Sequence, residues 1–305
     1  MTEPRADPLA AVIARRGVAI LDGGLATSLE ARGADLSGGM WSARVLREHP
    51  RLVRDVHADF LRAGADVVVT ASYQASFAGF QRAGVSEDET ADLLRRSVEL
   101  AREAAVLAAR PDAIVAASVG PYGASLADGS EYRGDYAVTR ADLRRFHRRR
   151  LEVLASAHPD LLAIETLPSS MELDALLELL DEGSGPPAWF TFSCRDAGRI
   201  SDGTPFAEVA ARAARHPRVI GVGINCTAPR YVTGLLETFA ARPPEVHVVV
   251  YPNIGDSWDA RARRWVRRRR QPDAQQWRRR GADVVGGCCG TTPEDIGQLV
   301  AQLVG

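Results

Sequence analysis

The sequence predicts an α/β protein folded as a single (β/α)8 TIM barrel over residues 1–305. Three observations predict it. Eight short, nearly continuous apolar runs recur along the chain, and stretches of helical period separate them. The length of 305 residues suits one such barrel, a fold that routinely exceeds about 250. Continuous apolar runs, in place of a polar/apolar alternation, mark strands buried on both faces and hence a parallel sheet. An open doubly wound sheet is the alternative, but it does not require eight evenly spaced units.

The runs, in order, are residues 17–24 (GVAILDGG), 66–73 (DVVVTASY), 113–120 (AIVAASVG), 160–166 (DLLAIET), 188–194 (AWFTFSC), 219–226 (VIGVGINC), 246–253 (VHVVVYPN) and 282–289 (ADVVGGCC). Between them, residues 50–63 place Leu52, Val53, Val56, Phe60 and Leu61 on one helical face. Residues 87–109 repeat the pattern with Leu93, Leu94, Val98 and Leu100. Thr139 and Asp142 open a helix over 143–157, and Thr292-Pro293-Glu294-Asp295 opens the last one, with proline at the first turn and acids beside it. Two stretches break the rhythm: a Gly-rich loop over 122–136, and residues 255–280, which contain RARRWVRRRR.

That arginine run reads as a solvated face or an insertion, because a basic patch alone is a weak nucleic-acid signal and the formal net charge is -1. No nucleic-acid partner is expected. No membrane partner is expected either, since no apolar run is long enough to span a bilayer. The polar start of the chain has no signal-peptide pattern, which points to a cytoplasmic protein. Four cysteines are too few to staple a chain of this size, and Cys288 and Cys289 are adjacent, so disulfides do not account for them.

Active sites of such barrels lie at the C-terminal ends of the strands. There the sequence places Asp22-Gly23-Gly24, Thr70 to Gln74, Gly120 to Gly123, Glu165-Thr166, Cys194, Asn225-Cys226, Tyr251 to Asn253 and Gly287-Cys288-Cys289. A core built only for stability gives no reason for that concentration of polar and soft residues. The barrel brings Cys226 to face Cys288 and Cys289. Three thiolates with a fourth position open make a catalytic zinc arrangement, whereas structural zinc usually has four protein ligands. Gly286 and Gly287 are expected to turn the backbone so that both following cysteines point inward. Cys194 reads as a small buried apolar residue. Asp22 and Glu165 suit either an acid/base pair or the binding of an ammonium group. Helix capping, the structural reading of such residues, suits Thr166 and Ser169 as well. None of the six histidines ends a predicted strand, and neither a dinucleotide fingerprint nor a P-loop is present.

Taken together, LDGGLAT (21–27), TASYQASFAGF (70–80), SVGPYGASLADGSEYRGDY (118–136), ETLPS (165–169), SDGTP (201–205), GINC (223–226), YPN (251–253) and GGCCGTTP (286–293) resemble the homocysteine S-methyltransferases. The third segment resembles the subgroup using S-methylmethionine or S-adenosylmethionine, not the betaine-using enzymes. The resemblance implies zinc on Cys226, Cys288 and Cys289, and L-homocysteine held by Asp22 and Glu165, with help from Gly23, Gly24 and Asn225. It implies methyl transfer to the zinc-activated substrate thiol, with no further catalytic group on the protein, forming methionine. A sulfonium is a cation, so the aromatic faces of Tyr73, Tyr122 and Trp258 are candidates to attract it. The 255–280 stretch departs from the subgroup. A barrel hydrolase relying on Asp22 and Glu165 and a thiol-rich metal sensor are the competing readings. A cobalamin- or folate-dependent methionine synthase needs modules for which this chain has no length.

Overall fold

All eight apolar runs contain strands, and the glycine-rich ends of several runs leave the ladder early. The structure, a computed structural model, describes residues 7–36, 41–239, 242–254, 257–259, 264–266 and 273–304. Its strands are β1 Ala19–Ile20, β2 Val67–Val69, β3 Ile114–Val119, β4 Leu161–Leu167, β5 Ala188–Phe192, β6 Val219–Asn225, β7 His247–Tyr251, β8 Ser257–Asp259, β9 Arg264–Val266 and β10 Val284–Val285. Eight of them form one parallel sheet in the order β1-β10-β7-β6-β5-β4-β3-β2. A parallel bridge between Leu21 and Val67 joins the two ends, which closes the sheet into a (β/α)8 barrel. The remaining two, β8 and β9, pair antiparallel as a hairpin that the sequence did not announce. The rest of the arginine run 261–270 lies outside the described residues.

The expected helices form at Pro50–Arg62, Glu87–Leu107, Arg140–Ser156 and Pro293–Leu303. Capping boxes start the last two: Thr139 with Asp142, and Thr292 with Asp295. Four further helices, Ala10–Arg16, Leu25–Ala31, Trp41–Glu48 and Phe77–Arg82, are too short for periodicity to reveal. The 122–136 loop contains two 3-10 turns, Tyr122–Ser125 and Ser130–Tyr132. Among the described residues no helix is long and apolar enough to cross a membrane.

The core has two layers. The outer one packs helices on the sheet and includes Val53, Val56 and Phe60 from Pro50–Arg62. The inner one fills the barrel with Ala19, Leu21, Val67, Ala116, Ala163, Trp189, Val249 and Tyr251, and Leu9 and Val12 pack on it. The barrel is therefore a packed core and not a pore. Room for the indole of Trp189 comes from Gly221, where a Cβ would lie 3.1 Å from the Cβ of Trp189. At Gly223 a Cβ would lie 1.7 Å from the carbonyl oxygen of Val249, so only glycine lets β6 and β7 approach there.

Candidate active site

Cys226 follows β6 directly, and Cys288 and Cys289 follow β10. Their sulfurs all lie within 4.8 Å of one another, with Cys226 Sγ 4.0 Å from Cys289 Sγ. Cys226 is held with φ +45, a left-handed conformation uncommon outside glycine. The pair on the other side is carried by a turn: Thr291 N–H donates to Cys288 C=O at 3.1 Å, and Gly290 takes φ +86. The left-handed glycine of this turn is Gly290, beyond the Gly286 and Gly287 that were expected to turn the backbone. Those two glycines serve close packing instead. A Cβ at Gly286 would lie 2.6 Å from Leu21 Cβ, and one at Gly287 would lie 2.1 Å from Thr291 Oγ1.

Three thiols this close oppose one another's ionisation. Hydrogen bonds from Cys226 and Cys288 draw the Cys289 thiol well below its usual range, and the bonds that Cys288 makes to Cys226 and Cys289 push its own thiol up. A divalent cation would allow all three to ionise. Tetrahedral zinc, with sulfur at about 2.3 Å, holds its sulfurs roughly 3.8 Å apart, so this all-sulfur donor set fits the ion. Cys194 stands outside the cluster, half-buried, with its sulfur 3.8 Å from the carbonyl of Phe192. Burial pushes its thiol up, as for a small apolar residue.

Two buried acids face the same cavity, which measures about 390 Å³ and also reaches Gly23, Gly24 and the three cysteines. Asp22 accepts a hydrogen bond from Val69 N–H at 2.9 Å, so it is fixed across the seam of the barrel and does not cap the next helix. Glu165 accepts from the Ser118 hydroxyl and, at 3.0 Å, from the Tyr251 hydroxyl, which also contacts Thr191 Oγ1 at 2.8 Å. Between Ile164 and Leu167 the register with β5 shifts, a bulge that re-aims Glu165. Burial raises both carboxyls, Asp22 well above the ordinary range and Glu165 to about 7. The buried Arg150 guanidinium offsets this only in part at Glu165, and no basic side chain lines the cavity among the described residues.

Asn225 does not face the cavity. It is fully buried, and its amide is spent on Thr166: Thr166 N–H donates to Asn225 Oδ1 and Asn225 Nδ2 donates to Thr166 Oγ1, both at 2.7 Å. This corrects the expectation of a substrate contact; Asn225 positions its neighbours. Nor does Thr166 cap a helix. It sits at φ +59, an outlier for a β-branched residue, held by those two bonds. Ser169 precedes helix Ser170–Glu182 without a side-chain cap bond; Asp202 accepts from Ser170 N–H at 2.7 Å in its place.

Of the aromatic candidates, Tyr73 lines the cavity. Tyr122 does not: its ring packs edge-on against Tyr136 and Phe146, with centroids 5.3 and 5.1 Å away. The side chain of Trp258 lies outside the described residues. Sequence reasoning missed Glu30, Glu131 and Tyr132, which line the cavity from a helix and a loop and not from strand ends. The only signal for the last two was their place in the GSEYRGDY segment.

The fold and site define a (β/α)8-barrel protein with a three-thiol cluster, open on one side, at the mouth of an acidic cavity. The family model described as homocysteine S-methyltransferase matches residues 19–303. Homocysteine S-methyltransferase 4 of Zea mays is 48% identical over 311 residues, covering 94% of this chain and 90% of that protein. Selenocysteine Se-methyltransferase of Brassica oleracea var. italica is 42% identical, covering 94% and 89%. The crystal structure of the homocysteine methyltransferase MmuM from Escherichia coli, metallated form, superposes with a TM-score of 0.87 at 46% identity, covering 97% of this chain and 100% of that one. The chain belongs to the homocysteine S-methyltransferase family, and it is an enzyme of methyl transfer.

Proposed function

We propose that residues 1–305 act as one homocysteine-binding barrel that transfers a methyl group from a sulfonium donor, S-methylmethionine or S-adenosylmethionine, to the thiol of L-homocysteine. The observation that carries this is the meeting of three sulfurs and two buried acids in one cavity that no basic side chain lines among the described residues. Cys226, Cys288 and Cys289 hold zinc, which when bound ionises the acceptor thiol at neutral pH. Asp22 and Glu165 hold the acceptor's ammonium, which restores both carboxyls to the ionised form. Backbone at Gly23 and Gly24 lets the amino acid lie close, since a Cβ at Gly24 would sit 2.9 Å from the carbonyl of Cys288.

The acceptor sulfur attacks the donor's methyl carbon in line. A new S–CH3 bond forms, the old one breaks, and its electron pair leaves with the donor sulfur. From S-methylmethionine both products are methionine. The protein contributes alignment and exclusion of water, and alignment alone supplies on the order of 7 kcal/mol or more. No general base on the chain is required. The chemistry suits a reducing cytoplasm, where the thiols stay free.

The test is methionine formation from homocysteine and S-methylmethionine by the purified protein, with and without a chelator, beside C288A. Activity lost in both treatments, with about one zinc per untreated chain, is the expected result. Well-folded active protein free of zinc overturns the metal assignment, and zinc-loaded protein inert toward every sulfonium donor overturns the donor class. A hydrolase reading has no comparable support, because it leaves the sulfur cluster without a role.

A further inference from the structure

The cavity beside the three sulfurs is lined by four carboxylates, Asp22, Glu30, Glu131 and Glu165, and by no lysine, arginine or histidine among the described residues. Two of these, Asp22 and Glu165, are committed to the acceptor's ammonium in the reading above. Glu131 is the third acid whose position is built. One carboxylate oxygen, Oε2, is buried without a hydrogen-bond partner. No arginine or histidine among the described residues forms an ion pair with it. The neighbouring Arg133 pairs with Asp135, its Nε 3.2 Å away, and acts on Glu131 only through space.

The backbone at Glu131 is fixed from two sides. Its carbonyl accepts from the Ser193 hydroxyl at 3.2 Å, beyond the end of β5. On the other side the loop folds onto itself: a Cβ at Gly123 would lie 2.5 Å from Glu131 N, so glycine is required there. Tyr73 and Tyr132 line the same cavity; the charge of Glu131 is felt at the Tyr73 hydroxyl, and that of Cys289 at Glu131. An unpaired, partly dehydrated carboxylate that shares a cavity with two aromatic side chains is the chemistry that recognises a soft cation.

We propose that Glu131 is a specificity-determining residue that binds the positive charge of the methyl donor, so that the enzyme selects sulfonium donors over neutral ones. This rests on the sulfonium reading above. The attraction is strongest for the intact cation and weakens as the methyl group departs, so Glu131 acts on donor binding more than on the chemical step.

The test uses zinc-loaded wild type, E131Q and E131D, with bound metal and melting temperature measured for each. E131Q raises the KM for S-methylmethionine about tenfold or more, leaves the KM for homocysteine unchanged and moves kcat only a few-fold, and E131D recovers part of the loss. An unchanged donor KM in folded E131Q overturns the proposal, as does a rise in the homocysteine KM instead. A second measurement needs no variant: on wild type, a quaternary-ammonium analogue of the donor must inhibit at least about tenfold better than its neutral carbon isostere. Equal inhibition also overturns it. Wild type that turns over no sulfonium donor fails at the first step, which refutes the reading on which the proposal rests and is distinguishable from an E131Q that merely keeps its KM.

Discussion

Asn225 and Thr166 exchange two hydrogen bonds of 2.7 Å, and this pair ties the end of β6 to the end of β4. Glu165 precedes one partner and Cys226 follows the other. The acid and the sulfur are thus set by a buried amide that touches neither. Asn225→Ala leaves the Thr166 amide unpaired and costs about 1–3 kcal/mol of stability. Equilibrium denaturation measures it. Zinc titration of the same variant shows weaker metal binding, because the left-handed turn at Cys226 loses its anchor. Unaltered stability and metal affinity would remove the positioning role.

The sulfur cluster separates the four cysteines into two groups. Cys226→Ser, Cys288→Ala and Cys289→Ala each lose the metal and at least about a thousandfold in kcat/KM, equal to roughly 4 kcal/mol of transition-state stabilisation. Cys194→Ala keeps both within a few-fold. Metal analysis and steady-state rates on the four variants check this, and an inactive, metal-loaded Cys194→Ala is the outcome at odds with it.

In the proposed reading the two deep acids, Asp22 and Glu165, act on the acceptor. Asp22→Asn and Glu165→Gln raise the homocysteine KM by about ten- to a hundredfold, the worth of a charged hydrogen bond, while zinc content is kept. If the donor KM rose instead, the ammonium would have to sit elsewhere.

His57, on the helix Pro50–Arg62, is fully buried, and neither ring nitrogen has a partner. Burial lowers its folded-state pKa from 6.5 to about 4. The unfolded chain therefore takes up a proton first as the pH falls. The stability held in the neutral ring is complete above pH 6.5 and is lost between there and about 4, by about 3 kcal/mol in all. His57→Phe flattens this acid limb of a denaturation-versus-pH curve; a limb of unchanged slope would place its origin in other groups.

Gly287→Ala pushes a methyl group into Thr291, whose Oγ1 would lie 2.1 Å away. The cost is about 1–3 kcal/mol, typical of overpacking, and it displaces Cys288 as well. A lower melting temperature together with weakened zinc binding is the expected pair of results.

The barrel was legible in the sequence because strands buried on both faces read as unbroken apolar runs, of which 219–226 is the clearest. Short helices such as Leu25–Ala31 were not, since one face of seven residues carries too little period. The cysteines and the pair Asp22 and Glu165 were legible from one rule, that barrel chemistry gathers at strand ends. The same rule misplaced Asn225, because a strand-end residue can bond sideways to its neighbour as easily as face the cavity. It also misplaced Tyr122, which the first 3-10 turn of its loop directs toward Tyr136 and Phe146. Glu131 escaped notice because a loop, folded on a glycine that only the closed structure explains, carries it to the site.

Among the described residues the cavity has no positive side chain, which bears on how turnover ends. In the proposed reaction a sulfonium enters charged and departs as a neutral thioether. Methyl transfer therefore cancels the charge that drew the donor in. The acceptor sulfur changes from an ionised thiol to a neutral thioether in the same event, a far poorer ligand for any metal that Cys226, Cys288 and Cys289 would hold. In that reading both products lose their strongest attraction to the site through the bond changes that make them.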